Sequence, residues 1–85
     1  MIEEELKDIL SKNINCKVLE VINESHLHAG HAGSPETGQS HFHVHIVSDD
    51  FKGLSRVEQH KMVNHLALPL FEKGLHALSL HLKVE

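Results

Sequence analysis

From His41 to Ile46 the chain alternates without a break, His-Phe-His-Val-His-Ile. Successive side chains of an extended strand point to opposite faces, so Phe42, Val44 and Ile46 share one face and His41, His43 and His45 the other. A helix cannot hold that pattern on one side. Residues 75–83, LHALSLHLK, alternate again, with His76, Leu78, Leu80 and Leu82 on one face and His81 on the opposite one. Between these strands, Ser55-Arg56-Val57-Glu58 matches a capping box, in which Ser55 and Glu58 satisfy each other's exposed amides. The helix that follows carries Val63, Leu66, Ala67 and Leu70 on one face, and Gly74 closes the segment. Pro69 lacks an amide hydrogen and crowds the carbonyl four residues back, so a kink or early end is expected there. Strand, helix and strand in that order imply a right-handed crossover that brings the last strand back parallel to the one before it.

Upstream, residues 2–12 place Ile2, Leu6, Ile9 and Leu10 on one helical stripe. Glu3, Glu4 and Glu5 fall in the first turn, where acid complements the helix dipole, and Asn13 and Asn15 read as a stop. Residues 17–23, KVLEVIN, are rich in β-branched residues and read as a strand that pairs antiparallel with the one starting at His41. The connection, about residues 25–40, contains Gly30, Gly33, Pro35 and Gly38; a loop that long in a small domain is either functional or disordered. The expected fold is α+β, in the order α-β-β-α-β, as a single domain over residues 1–85. It has a three-stranded mixed sheet with both helices on one face.

Histidine is the unusual number in the composition, ten in 85 residues. Three Phe with no Trp or Tyr leave the core to Leu, Val and Ile, too little for a deep enclosed active site. Residue types for Ser-His-Asp or Cys-His chemistry are present, but no signature arranges them, so binding rather than catalysis is expected. A net charge of −4 argues against nucleic acid as the default partner. One cysteine, Cys16, permits no disulfide within the chain and fits a reducing compartment. The first ten residues are acidic where a targeting peptide would be basic, and no run approaches the roughly 18–20 apolar residues of a membrane span. These features lead to an expectation of a cytoplasmic protein without membrane contact.

The histidines fall into groups. His26, His28 and His31 lie in the long loop, where imidazoles either close around a borderline metal or stay solvated. His41, His43 and His45 stand about 6.5–7 Å apart in pairs along their strand, a spacing that holds a zinc with help from elsewhere or simply forms the polar face of a sheet. His60 and His65, five apart, are poorly spaced for chelation on one helical face and read as solvated. His76, just after Gly74, either packs against a backbone carbonyl or faces the sheet end where the long loop arrives. His81 reads as solvated, and Cys16 as an inert buried thiol.

Asn23-Glu24-Ser25, the histidine-bearing glycine loop, Ser40-His41-Phe42, Val47-Ser48, Phe51-x-Gly53-Leu54-Ser55, His60-Lys61-x-Val63 and His76-Ala77-Leu78 follow one another in an order that resembles the BolA-like family, from about residue 18 to the C-terminus. The resemblance implies a fold similar to class II KH domains without their GxxG nucleotide clamp. It also implies pairing with a monothiol glutaredoxin, with a [2Fe-2S] cluster shared between the chains and used in iron–sulfur cluster maturation, trafficking or iron signalling. The partner would supply its own cysteine and a glutathione thiol. By position, this chain would supply His76 from the last strand and His28 from the loop, with His31 as the rival loop ligand. Alone, the chain would be a monomer or weak dimer.

Some members of that family are described as DNA-binding regulators. By that resemblance the region from Phe51 to about Leu68 would meet DNA, with Arg56, Lys61 and Lys73 on phosphates. Gln59 stands where the family usually has arginine, and His43 where a basic residue is common, which weigh against this alternative.

Overall fold

In the computed structural model, which describes residues 2–24 and 41–84, the elements follow the expected order: α1 (Ile2–Asn13), β1 (Cys16–Asn23), β2 (His41–Ser48), α2 (Arg56–Phe71) and β3 (Ala77–Lys83). A 3-10 turn, Asp49–Phe51, lies between β2 and α2. The sheet order is β1-β2-β3, with β1 antiparallel and β3 parallel to β2, as the crossover requires.

One face of the sheet makes the core. Phe42, Val44 and Ile46 are buried and pack with Leu6 and Leu10 of α1 and with Val63, Ala67 and Leu70 of α2. Leu19, Val21, Leu78, Leu80 and Leu82 complete that layer from the flanking strands, half-buried. Each such side chain contributes on the order of 1.5–3 kcal/mol when fully removed from water. Both helices therefore share one layer, and the other face of the sheet stays open.

Local signals set the boundaries. Ser55 caps α2: its Oγ accepts from the Glu58 amide at 3.1 Å, and its own amide donates to Glu58 Oε1 at 2.8 Å. Gly53 and Gly74 take φ of 83° and 117°, which side-chain-bearing residues rarely adopt. The alternation of β2 breaks at its end, where Val47 and Ser48 are both buried. A bulge between Cys16 and Val18 shifts the register there, and Ser48 is satisfied by donating to the Asn15 carbonyl at 2.8 Å and accepting from the Asp50 amide at 3.0 Å.

Two expectations are corrected. The second helix runs through Pro69 and ends two residues beyond it, at Phe71. So close to the C-terminus the missing amide removes a single bond on an exposed side. The last strand starts at Ala77 rather than at residue 75, because the turn at Gly74 sends Leu75 into the core, where it is 3% exposed. His76 therefore precedes the strand, exposed, and does not share the inner face of Leu78, Leu80 and Leu82.

Candidate functional site

Parallel pairing puts the starts of β2 and β3 at one end of the sheet, with His41 opposite Ala77. Strand β1 finishes at the same end: Asn23 is opposite Phe42, and the Glu24 amide donates to the His41 carbonyl at 2.8 Å. Segment 25–40 thus leaves the sheet and rejoins it beside the start of β3. His76 stands there, exposed, with its ring centroid 5.3 Å from that of His41 and the planes tilted by 41°. Among the described residues nothing hydrogen-bonds its ring nitrogens, so the imidazole is available as a donor to an incoming group. The backbone-satisfied alternative for His76 does not hold among those residues.

Cys16 lies at the opposite end of the sheet, paired with Ser48. Its Sγ is 3.4 Å from the Ile14 carbonyl. Burial, reinforced by the Asp50 carboxylate, pushes the thiol above its ordinary value, so it stays protonated at neutral pH. The chain's only cysteine is remote from His76.

The open face of the sheet carries a row across all three strands: Glu20 on β1 is opposite His45 on β2, which is opposite His81 on β3. His45 Nδ1 lies 3.1 Å from Glu20 Oε1, and the His45 and His81 rings stack with centroids 4.7 Å apart and planes 14° from parallel. His45 Nε2 is buried and has no partner among the described residues. His81 is exposed yet titrates below the ordinary imidazole range, first because the covering rings and strands desolvate its charged form, and further because His45, Lys83 and His43 oppose a positive charge.

Among the described residues no three His, Cys, Asp or Glu side chains gather as metal ligands. A self-contained zinc site on His41, His43 and His45 is therefore not assembled among the described residues, where the His41 ring meets His76 and the His45 ring joins the Glu20–His81 row. His26, His28 and His31 lie outside the described residues. Of the residues read as phosphate contacts, Arg56 and Lys61 are exposed on α2, whereas Lys73 Nζ sits 2.8 Å from Glu5 Oε1 and ties the turn after α2 to α1. Lys61 also borders a shallow apolar groove lined by Leu54, Met62, Leu66 and Phe71. No described helix is long and apolar enough to cross a membrane.

The residues alone did not reveal two juxtapositions, His41 with His76 and His45 with His81. Each depends on the register between two parallel strands separated by a whole helix, and alternation within either strand carries no offset between them.

The family model of BolA-like proteins matches residues 10–85. A BolA-like protein of Dictyostelium discoideum is 44% identical over 80 residues, covering 93% of this chain and 67% of that protein. The DNA-binding transcriptional regulator BolA of Vibrio cholerae is 36% identical over 81 residues, covering 95% and 73%. Among solved structures, the BolA domain of SufE1 from Arabidopsis thaliana superposes with a TM-score of 0.87 at 36% identity, covering 96% of this chain and 90% of that one.

Proposed function

This chain belongs to the BolA-like family, and we propose that it is a non-enzymatic adaptor that pairs with a monothiol glutaredoxin and holds one side of a shared [2Fe-2S] cluster. Its role is in iron–sulfur cluster maturation, trafficking or iron signalling. The observation that carries this reading is the exposed His76 imidazole at the sheet end where segment 25–40 leaves and rejoins.

His76 is one ligand, and His28 the other, with His31 as the rival within the loop. The partner brings its own cysteine and a glutathione thiol. The donor chemistry fits: imidazole is a good iron ligand, and a chain whose one thiol is held protonated at the far end of its sheet cannot supply a cysteine set. A cluster so held supplies a redox-active, transferable iron centre, with a potential raised by imidazole ligation. This chain's part is to present neutral imidazole nitrogen on a rigid sheet end, so acid weakens the complex. A single cysteine, which can form no disulfide within the chain, suits a reducing compartment, and the cytoplasm is the proposed location.

Co-expression with a monothiol glutaredoxin, followed by visible absorption and circular dichroism of the purified material, tests the pairing. A coloured heterodimer is expected. Two colourless chains that separate on a sizing column would contradict it.

A second reading is DNA binding, favoured by the name of the Vibrio cholerae relative and by the exposed Arg56 and Lys61 of α2. The net charge of −4 and the ion-paired Lys73 weigh against it. Phosphate-driven binding must weaken steeply with salt, so the absence of complex at low salt removes this reading.

A further inference from the structure

The two outer strands of the sheet are not finished alike. Strand β3 pairs with β2 on one side and, among the described residues, with no strand on the other. On the central strand the inward residues are fully covered, Phe42, Val44 and Ile46 being 1% exposed or less. On β3 the equivalent Leu78, Leu80 and Leu82 are only half-buried, because their flanks lie at the edge. The start of α2 runs beside this edge, and strand and helix enclose a hollow of about 440 Å³. Arg56, Gln59 and His60 line it from the helix, and all of residues 80–83 line it from the strand. Strand side chains alternate between faces, so four consecutive residues border one hollow only where the backbone edge is its wall.

The charge along this edge has one sign. Arg56 stands on the helix side of the sheet and Lys83 on the open side, and neither has an ion-pair partner among the described residues. No carboxylate lines the hollow. The other edge differs. Beside β1 the surface carries Glu4, Lys7 and Asp8, Lys17 is paired with Asp49, and a bulge between Cys16 and Val18 interrupts the strand. A bulge is one of the ways in which a sheet blocks further pairing, and β3 has none.

We propose that the outer edge of β3 is a docking site for an extended, acidic segment of a partner protein, which adds to the sheet as a fourth strand. Main-chain hydrogen bonds to β3 hold such a segment, and its alternating side chains read both faces. Residues on the helix side cover the flanks of Leu80 and Leu82 and reach Arg56, while those on the open side reach Lys83. At neutral pH these two cations supply the charge, and the neutral His60 and His81 serve as walls. Salt screens charges beyond about 8 Å at physiological ionic strength, so this local pair decides the sign that is accepted, despite the net −4 of the chain. Like charge on both edges disfavours a second copy as the occupant. Residues 80–83 form the end of β3 remote from His76, so the segment and a cluster can be held together.

The test is a titration of the full chain with a short capped peptide alternating valine and glutamate, followed through the backbone amides by nuclear magnetic resonance. Saturable shifts confined to residues 80–83 and the start of α2 are expected, with alternate amides of 80–83 gaining protection from hydrogen exchange. Arg56→Gln and Lys83→Gln, both at exposed positions, should each weaken binding about 1.5- to 5-fold, the scale of one surface ion pair. Lys83→Glu should shift preference toward the peptide with lysine in place of glutamate. The same acidic peptide methylated on alternate backbone nitrogens should not bind. Equal binding of the methylated peptide would overturn strand addition, and equal binding of the lysine peptide to the unaltered chain would overturn the charge selection. Shifts that map to β1 or to the groove at Met62 and Phe71, or no saturable shift at all, would overturn the site. A dimer of the chain alone with residues 80–83 already protected would make a second copy the occupant and contradict the acidic partner.

Discussion

His41 and His76 meet at the open end of the sheet, ring centroids 5.3 Å apart and planes tilted by 41°. His41 belongs to β2, where flanking backbone bonds fix its position, whereas His76 precedes β3 on a short connection from Gly74. The fixed ring therefore braces the free one. An aromatic contact of this kind contributes on the order of 0.5–1 kcal/mol, so His41→Ala should weaken the cluster-bearing complex about two- to fivefold while leaving the cluster histidine-ligated. Affinity measured with the reconstituted partner checks this; a variant that loses the cluster outright would make His41 itself a ligand.

The stacked row of Glu20, His45 and His81 predicts a pH dependence of stability. His81 titrates lower in the folded chain than the ordinary 6.5. Between the two values the unfolded chain binds more protons, so stability rises with pH across that window and falls on acidification. Urea melts from pH 5 to pH 7.5 should show this slope, and His81→Gln should flatten it. An unchanged slope in His81→Gln would assign the dependence to another group.

The capping box at the start of α2 can be weighed by itself. Ser55→Ala removes the acceptor of the Glu58 amide and should cost about 1 kcal/mol. Chemical denaturation gives the number directly, and Ser55→Asp, which keeps an acceptor, should recover most of it.

Cys16 should be slow to react. Burial and Asp50 hold its thiol protonated, so alkylation at neutral pH should proceed far more slowly in the native chain than in denaturant. Equal rates in the two states would mean that the thiol is open, and would weaken the case against cysteine as a ligand from this chain.

Much of this fold was legible because its strands carry one open and one buried face. Period-two alternation located β2 and β3, and the Ser55–Glu58 box located α2, since each signal is local and has a single structural solution. The bulge opposite Val47 and the pairing of His45 with His81 were not legible, because they depend on how far one strand slides along another. The alternation of residues 75–83 even misled, since it continues through Leu75 and His76 although a glycine turn, not pairing, sets those two residues. For the site, the motif His76-Ala77-Leu78 pointed to His76, while the company it keeps came only from three-dimensional register.

The central claim is that His76 donates an imidazole to a cluster shared with a monothiol glutaredoxin. Pulsed electron paramagnetic resonance of the reduced, reconstituted heterodimer reads nitrogen couplings at the iron directly. The wild-type complex should show strong imidazole couplings, and His76→Ala should lose one set of them together with a shift in the visible circular dichroism. A His76→Ala complex with couplings and spectrum identical to the wild type would contradict the account.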